Sequence, residues 1–117
     1  MYVVIAGLSG IGRNLAELLS KEGNEVVVVD LDAARCAEIA ACSDVMVIIG
    51  NATQKSTLEE ANVRNANALV AVTGDDSDNL MICMIAKEMG TKKVISLVND
   101  AVHAETFKQA GVSFHCG

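Results

Sequence analysis

Gly7-Leu8-Ser9-Gly10-Ile11-Gly12 separates an apolar run, Tyr2 to Ala6, from a stretch in which Ile11, Leu15, Leu18 and Leu19 recur at helical spacing. A glycine turn between strand and helix lets the backbone approach a phosphate without a Cβ clash. The helix start adds unpaired N–H groups and a positive dipole end. About twenty residues on, where a dinucleotide fold places its acid, the run Val26 to Val29 ends in Asp30. That carboxylate is positioned to accept hydrogen bonds from ribose hydroxyls. The second glycine of G-x-G-x-x-G falls on Ser9, with Gly10 one place later, so the turn is feasible but imperfect. Asp32 is the better helix cap, which leaves Asp30 without a structural task. A carboxylate there disfavours a 2′-phosphate, so NAD or an adenosine phosphate is expected rather than NADP.

Outward from this turn the same alternation continues. Apolar runs recur at Val45 to Ile49, Ala68 to Val72 and Val94 to Val98, and Val112 to Phe114 adds a sixth. Continuous rather than alternating hydrophobicity is the mark of parallel strands covered on both faces, and each intervening segment is long enough for a right-handed crossover. The expected fold is one α/β domain over residues 1–117, a doubly wound parallel sheet of Rossmann-like order 3-2-1-4-5-6. The first helix is expected to end at Lys21-Glu22-Gly23 and the second to be capped by Asp32 over Ala33 to Ala41. A short helix falls around Leu58 to Ala61, and a longer one runs to Met89 from Asp75 or Ser77. The last starts at Asn99 or Asp100 and stops before Gly111.

Composition excludes several functions. The chain has 117 residues, 51% hydrophobic, with no apolar run approaching the roughly 20 residues of a bilayer span. Its net charge of −6 and lack of a basic cluster argue against nucleic acid or anionic lipid as partner. Cys36, Cys42, Cys83 and Cys116 have no C-x-x-C spacing; three fall in apolar segments, so reduced core thiols rather than metal ligands are expected.

In a parallel sheet the strand C-termini share one edge, so the residues after each run converge. They are the glycine turn, Asp30-Leu31, Gly50-Asn51-Ala52-Thr53, Thr73-Gly74-Asp75-Asp76 and Asn99-Asp100. Asp75 and Asp100 are assigned to helix capping.

The chain resembles the N-terminal nucleotide-binding domain of potassium transport regulators of the Trk/Ktr and RCK type, over essentially its whole length. The likeness rests on the glycine turn with Asp30 and Asp32, on Gly50-Asn51-Ala52-Thr53 with Leu58 and Ala61, and on Ala71-Val72-Thr73-Gly74-Asp75-Asp76 followed by Asn79 and Ala86-Lys87. The resemblance implies a regulatory module that binds NAD or NADH, or ATP, ADP or AMP. It implies assembly as a homodimer or larger ring at the cytoplasmic face of the membrane, where a potassium channel or transporter is gated without insertion of this chain. By position it places the phosphate turn on Gly7, Ser9, Gly10, Ile11 and Gly12 and the ribose acid on Asp30 beside Leu31. The base-side loop falls on Asn51, Ala52 and Thr53, and Thr73 with Gly74 falls near the phosphates or distal nucleoside. Three departures stand out: Ser9-Gly10 replaces Gly-Arg or Gly-Gln, Asn51 replaces Asp, and Ser96-Leu97 replaces a strand-ending Arg. Two phosphate-facing charges are absent, which weighs against ATP more than NAD; Arg13 is a candidate to compensate, or a solvated surface residue. The small C-terminal lobe of many such regulators is not among these residues, so the chain reads as an isolated domain.

Two rivals stay open. A short-chain oxidoreductase would share the glycine turn but needs a Tyr-x-x-x-Lys pair, and the only tyrosine is Tyr2 inside the first strand. His103 and His115 read as surface or strand-end histidines, so no catalytic residue is assigned. An assembly module without ligand is the other rival. Leu80-Met81-Ile82-Cys83-Met84-Ile85-Ala86 is apolar all round, so self-association is expected on either reading.

Overall fold

The computed structural model describes all 117 residues. The apolar runs become strands β1 (Tyr2–Ala6), β2 (Glu25–Asp30), β3 (Met46–Ile49), β4 (Ala68–Ala71), β5 (Val94–Val98) and β6 (Ser113–Cys116). Between them lie α1 (Gly10–Lys21), α2 (Ala33–Cys42), α3 (Lys55–Glu60), α4 (Asp76–Met89) and α5 (Ala104–Gln109), with short 3-10 turns at Val63–Asn65 and Ala101–His103. All neighbouring strands are parallel, in the order β3-β2-β1-β4-β5-β6, which is the doubly wound order expected. β1 is central: Val4 lies level with Val27 of β2 on one side and Leu69 of β4 on the other. After β3 the chain returns to the far flank of β1, and this reversal opens a crevice at the strand C-termini between β1 and β4.

Period-2 alternation sends Val3, Ile5, Val26 and Val28 to the side of Ala16 in α1 and Ile39 in α2. Val4, Ala6, Val27 and Val29 join Leu58, Ile82 and Phe107 from α3, α4 and α5 on the other side. Both faces of the central strands are therefore dry, which is why they read as unbroken valine and isoleucine.

The structure corrects several local expectations. The apolar row of α1 does not form one buried face: Ile11 and Leu18 are half exposed, and Gly12 and Ala16 make the buried contact. Small residues one turn apart let the helix axis approach the sheet closely, and the larger side chains are displaced to its flanks. β3 is not buried on both faces. It is the sheet edge, so Met46 and Ile49 stay largely exposed. β6 begins at Ser113 rather than Val112, because the Val112 N–H closes α5 on Phe107 O at 3.1 Å while Gly111, at φ 72, bonds Lys108 O. β4 ends at Ala71, one residue before Val72; β2 is longer than expected by one residue at each end, and β3 starts one residue later, at Met46. Of the cysteines, Cys36 and Cys83 are core thiols, whereas Cys42 and Cys116 are exposed. Burial pushes the Cys83 thiol up to about 12.

Caps fall largely as the sequence indicates. Asp32 accepts from the N–H groups of Ala34 and Arg35, Asp75 from that of Asp78, and Asp100 from that of Val102. Asp75 rather than Ser77 starts α4. The short helix starts at Lys55, ahead of the Leu58 expected, and the last helical segment is broken into a 3-10 turn and α5. On α4, Ile82, Cys83 and Ala86 are buried while Met81 and Met84 are half exposed, so the outer apolar face is present as anticipated.

Candidate functional site

The glycine turn is built by two demands of the fold and one freedom. Gly7 leaves β1 at φ 112, and a Cβ there would sit 2.9 Å from the Thr73 backbone nitrogen. Gly12 is tighter still: a Cβ would lie 2.0 Å from Gly7 O and 2.9 Å from Val72 Cγ2. Only a hydrogen lets α1 pack on the crossing between β1 and β4. A Cβ on Gly10 meets nothing within 4 Å, so this position faces open space. Ser9 occupies the N-cap of α1 without capping it; its hydroxyl donates to Val72 O at 3.0 Å and ties the turn to the end of β4. The helical ladder opens with Arg13 N–H on Ser9 O at 3.0 Å, so the amides of Gly10, Ile11 and Gly12 precede it. They form the positive end of the α1 dipole.

Asp30, at the tip of β2, has a structural task after all. Its Oδ2 accepts the Leu8 N–H at 2.7 Å and its Oδ1 the Asp32 N–H at 2.8 Å, so the acid holds the glycine turn in place. Each carboxylate oxygen has a second lone pair, which leaves capacity for a ligand hydroxyl. At the β3 exit, Asn51 Oδ1 accepts both the N–H and the hydroxyl of Thr53, at 2.9 and 2.7 Å. An aspartate would make the same turn but add a negative charge to the cleft; Asn51 does not.

These exits enclose a cavity of about 320 Å³. That is at the small end of ligand pockets, roughly 300–1,000 Å³, and suits a nucleoside more than a whole dinucleotide. Of the sequence candidates, Gly7, Asp30, Leu31, Asn51, Ala52, Thr53 and Thr73 line it. Ser9, Gly10, Ile11, Gly12 and Gly74 do not; the first four form the start of α1, and Gly74 sits in the open loop after β4. Gly50, placed at the shared edge by the sequence, also lines the cavity, as do Val29, Asp32, Arg35, Asp78 and Ile82, which the sequence did not assign to the site. Arg35 and Asp78 sit in the first turns of helices that start at the shared edge, and that placement was the signal available for them.

A buried polar network fixes the other half of the edge. Asn79 is fully buried on α4; its Oδ1 accepts the Thr73 N–H and hydroxyl, and its Nδ2 donates to Thr73 O and Leu97 O. Asp76 accepts the N–H groups of Asn99 and Asp100 at 2.7 and 3.0 Å and lies 2.7 Å from His103 Nδ1. Burial alone would raise the Asp76 carboxyl, but these hydrogen bonds from Asn99, His103 and Asp100 outweigh it and hold the group at about 2. The same Asp76 contact raises the His103 imidazole. His103 is thus a strap between the 3-10 turn and α4 rather than an isolated surface histidine. The sequence signal for Asn79 was its position in register with Ile82, Cys83 and Ala86, a polar residue on an apolar stripe.

Arg13 does not compensate for the missing phosphate-facing charges. Its guanidinium is held by Glu17 at 3.2 Å and by Glu38 at 2.9 Å, along the outer side of α1 and α2. On β5, where Ser96-Leu97 stands in place of an arginine, the Ser96 hydroxyl turns back onto Leu97 O and is buried.

A family model described as the TrkA-N domain matches residues 3–115. The chain is 42% identical over 112 residues to a Trk system potassium uptake protein TrkA homolog of Methanothermobacter thermautotrophicus, covering 96% of this chain and 52% of that protein. It is 39% identical over 104 residues to TrkA of Halomonas elongata, covering 88% and 22% respectively. Among solved structures, the GsuK channel bound to NAD superposes with a TM-score of 0.86 at 24% identity, over 97% of this chain and 21% of the channel. At that identity the likeness speaks for the fold. The Shewanella denitrificans Kef C-terminal domain in its AMP-bound form gives 0.86 at 26% identity, over 100% of this chain and 72% of that one. The chain spans about half or less of the length of the curated relatives it matches. With the glycine turn, the strand order and nearly every residue of the chain inside the family match, this protein belongs to the TrkA-N domain family.

Proposed function

We propose that this domain binds NAD(H) or an adenine nucleotide at the cleft between the α1 N-terminus and Asp30, and that binding regulates a membrane potassium channel or transporter. The observation that carries it is the pairing of amides at the start of α1 with a carboxylate that already braces the turn. One group receives an anionic linkage and the other a ribose. Relatives named as potassium uptake proteins and a channel, rather than as enzymes, support a sensor over a catalyst. The proposed phosphate contacts are the backbone of Gly7, Ser9, Gly10, Ile11 and Gly12. Asp30 and Leu31 serve the ribose side, Asn51, Ala52 and Thr53 the base side, and Thr73 and Gly74 the distal part. No side-chain cation stands at the phosphate turn, which favours NAD or AMP over ATP.

Regulation would run through assembly. The outer face of α4, with half-exposed Met81 and Met84, is proposed to pack against a second copy in a homodimer or ring on the cytoplasmic side. Nucleotide states that bind two arrangements of that assembly unequally would shift gating by a coupling of about 1–3 kcal/mol. Calorimetric titration of NAD, NADH, ATP, ADP and AMP is the test. Saturable heat without hydride turnover supports the sensor. Turnover would favour an oxidoreductase, and no heat with any nucleotide would favour a ligand-free assembly module.

A further inference from the structure

Arg35 is the one cationic side chain in the lining of the cleft, where the other charged groups are Asp30, Asp32 and Asp78. Its backbone is fixed in the first turn of α2 by Asp32 Oδ1, which accepts the Arg35 N–H at 3.2 Å. Its guanidinium is not fixed. The side chain is 55% exposed, and its one ion pair is a 3.6 Å approach of Nε to Asp32 Oδ2. An exposed pair of that length contributes little net stability, because solvent screens it and holding two long side chains costs entropy, so the terminal nitrogens can be redirected at little cost. Arg13 is the contrast: its guanidinium is bound to Glu17 and Glu38 and is committed to the helix surface.

The cleft also lacks the side chain that usually receives a purine. The chain contains no tryptophan, and its aromatic residues are Tyr2, Phe107 and Phe114, none of which lines the cavity. Tyr2 donates its hydroxyl to Ala61 O, and Phe107 is buried beside Phe114 in the core. The base-side walls are aliphatic and polar, with Leu31 exposed on one rim and Ala52 on the opposite loop. A guanidinium is planar, weakly hydrated and stacks on π faces.

We propose that Arg35 closes the base-side half of the cleft by laying its guanidinium plane over the adenine ring of the bound nucleotide, with Leu31 and Ala52 supplying the aliphatic contacts. The inference rests on the nucleotide reading above and goes further by naming a residue that selects the base. A 2′-phosphate is the other group an arginine here could hold, but Asp30 and Asp32 flank that position and repel it. Arg35 therefore serves the base, and affinity for NADP stays below that for NAD.

The test is titration of the whole chain with adenosine, AMP, NAD and NADP, comparing wild type with Arg35→Ala and Arg35→Lys by calorimetry or amide chemical shifts. Stacking of this kind predicts that Arg35→Ala weakens adenosine, AMP and NAD by a common factor of roughly 3 to 30. Lysine, charged but without a plane, recovers only part of that loss, and the melting temperature of both variants matches wild type. A loss for AMP and NAD that spares adenosine would put Arg35 on a phosphate and overturn the proposal. Undiminished binding by Arg35→Ala would overturn it while leaving the nucleotide reading standing. Failure of wild type to bind any of the four ligands would overturn both.

Discussion

Asp30→Ala is expected to destabilise the protein before any nucleotide is added. Two amides lose an acceptor. The Asp32 N–H is near solvent and rehydrates, whereas the Leu8 N–H belongs to a residue only 4% exposed and loses a 2.7 Å charge-assisted bond. An unsatisfied buried donor costs about 1–3 kcal/mol, so a loss near 2 kcal/mol is expected. With 117 residues and an unfolding entropy of roughly 2.1 cal/mol/K per residue, that corresponds to a fall of about 8 °C in melting temperature. Asp30→Asn separates bracing from binding. Its single carbonyl oxygen can serve the Leu8 N–H and recover most of the stability, but it cannot also offer a carboxylate to a ribose. Thermal unfolding by circular dichroism without ligand, followed by calorimetry with NAD and AMP, reads both effects. The expected pattern is a large drop in melting temperature for alanine, a small one for asparagine, and weakened affinity for both. Unchanged melting of Asp30→Ala would refute the bracing role; wild-type affinity in Asp30→Asn would refute the ribose contact.

Further outcomes follow from the same geometry. Gly12→Ala is expected to lose about 3 kcal/mol or to fail to fold, because its Cβ would lie 2.0 Å from Gly7 O. Gly10→Arg should melt like wild type and bind ADP several-fold more tightly, since its Cβ has open space and its charge returns near the phosphate turn. Melting temperature should be highest between pH 4 and 6.5. The Asp76 contribution, present above its ordinary 3.8, is lost as pH falls toward about 2; the His103 contribution, present below 6.5, is lost as pH rises through its raised value. His103→Gln should remove the alkaline decline, as a pH series of melts would read. Iodoacetamide at pH 8 should label Cys42 and Cys116 rapidly but Cys36 and Cys83 only after unfolding, as mass spectrometry of labelled peptides can check.

The sequence carried the sheet because both faces of its central strands are buried, so valine and isoleucine run without interruption through β1 and β2. Legibility fell at the edges. Met46 and Ile49 read as core but are exposed because no strand lies beyond β3. Ile11 and Leu18 misled in the same way, since apolar spacing marks a face without saying that Gly12 and Ala16 win the contact with the sheet. The cleft was legible where chemistry follows a strand end, as at Asp30, Asn51 and Thr73. It was not where a residue's role depends on what a neighbour has already taken. Asp30 braces Leu8, Asp76 gathers Asn99, Asp100 and His103, and Arg13 is consumed by Glu17 and Glu38, whereas Arg35 has only a long, exposed ion pair with Asp32. Such competition between partners is a property of three-dimensional proximity and has no spacing rule.

Nucleotide is proposed to enter at the strand C-termini. A second cavity of about 350 Å³ at the opposite end of the sheet, lined by Tyr2, Asn24, Asp44 and Met46, supplies the internal control. Amide chemical-shift mapping on this 12.2 kDa chain with AMP or NAD decides between them. Saturable shifts at Leu8 to Gly12, Asp30 to Arg35 and Asn51 to Thr53 are expected, with Asn24 and Asp44 unmoved. Shifts confined to the far cavity, or none at millimolar ligand, would contradict the claim.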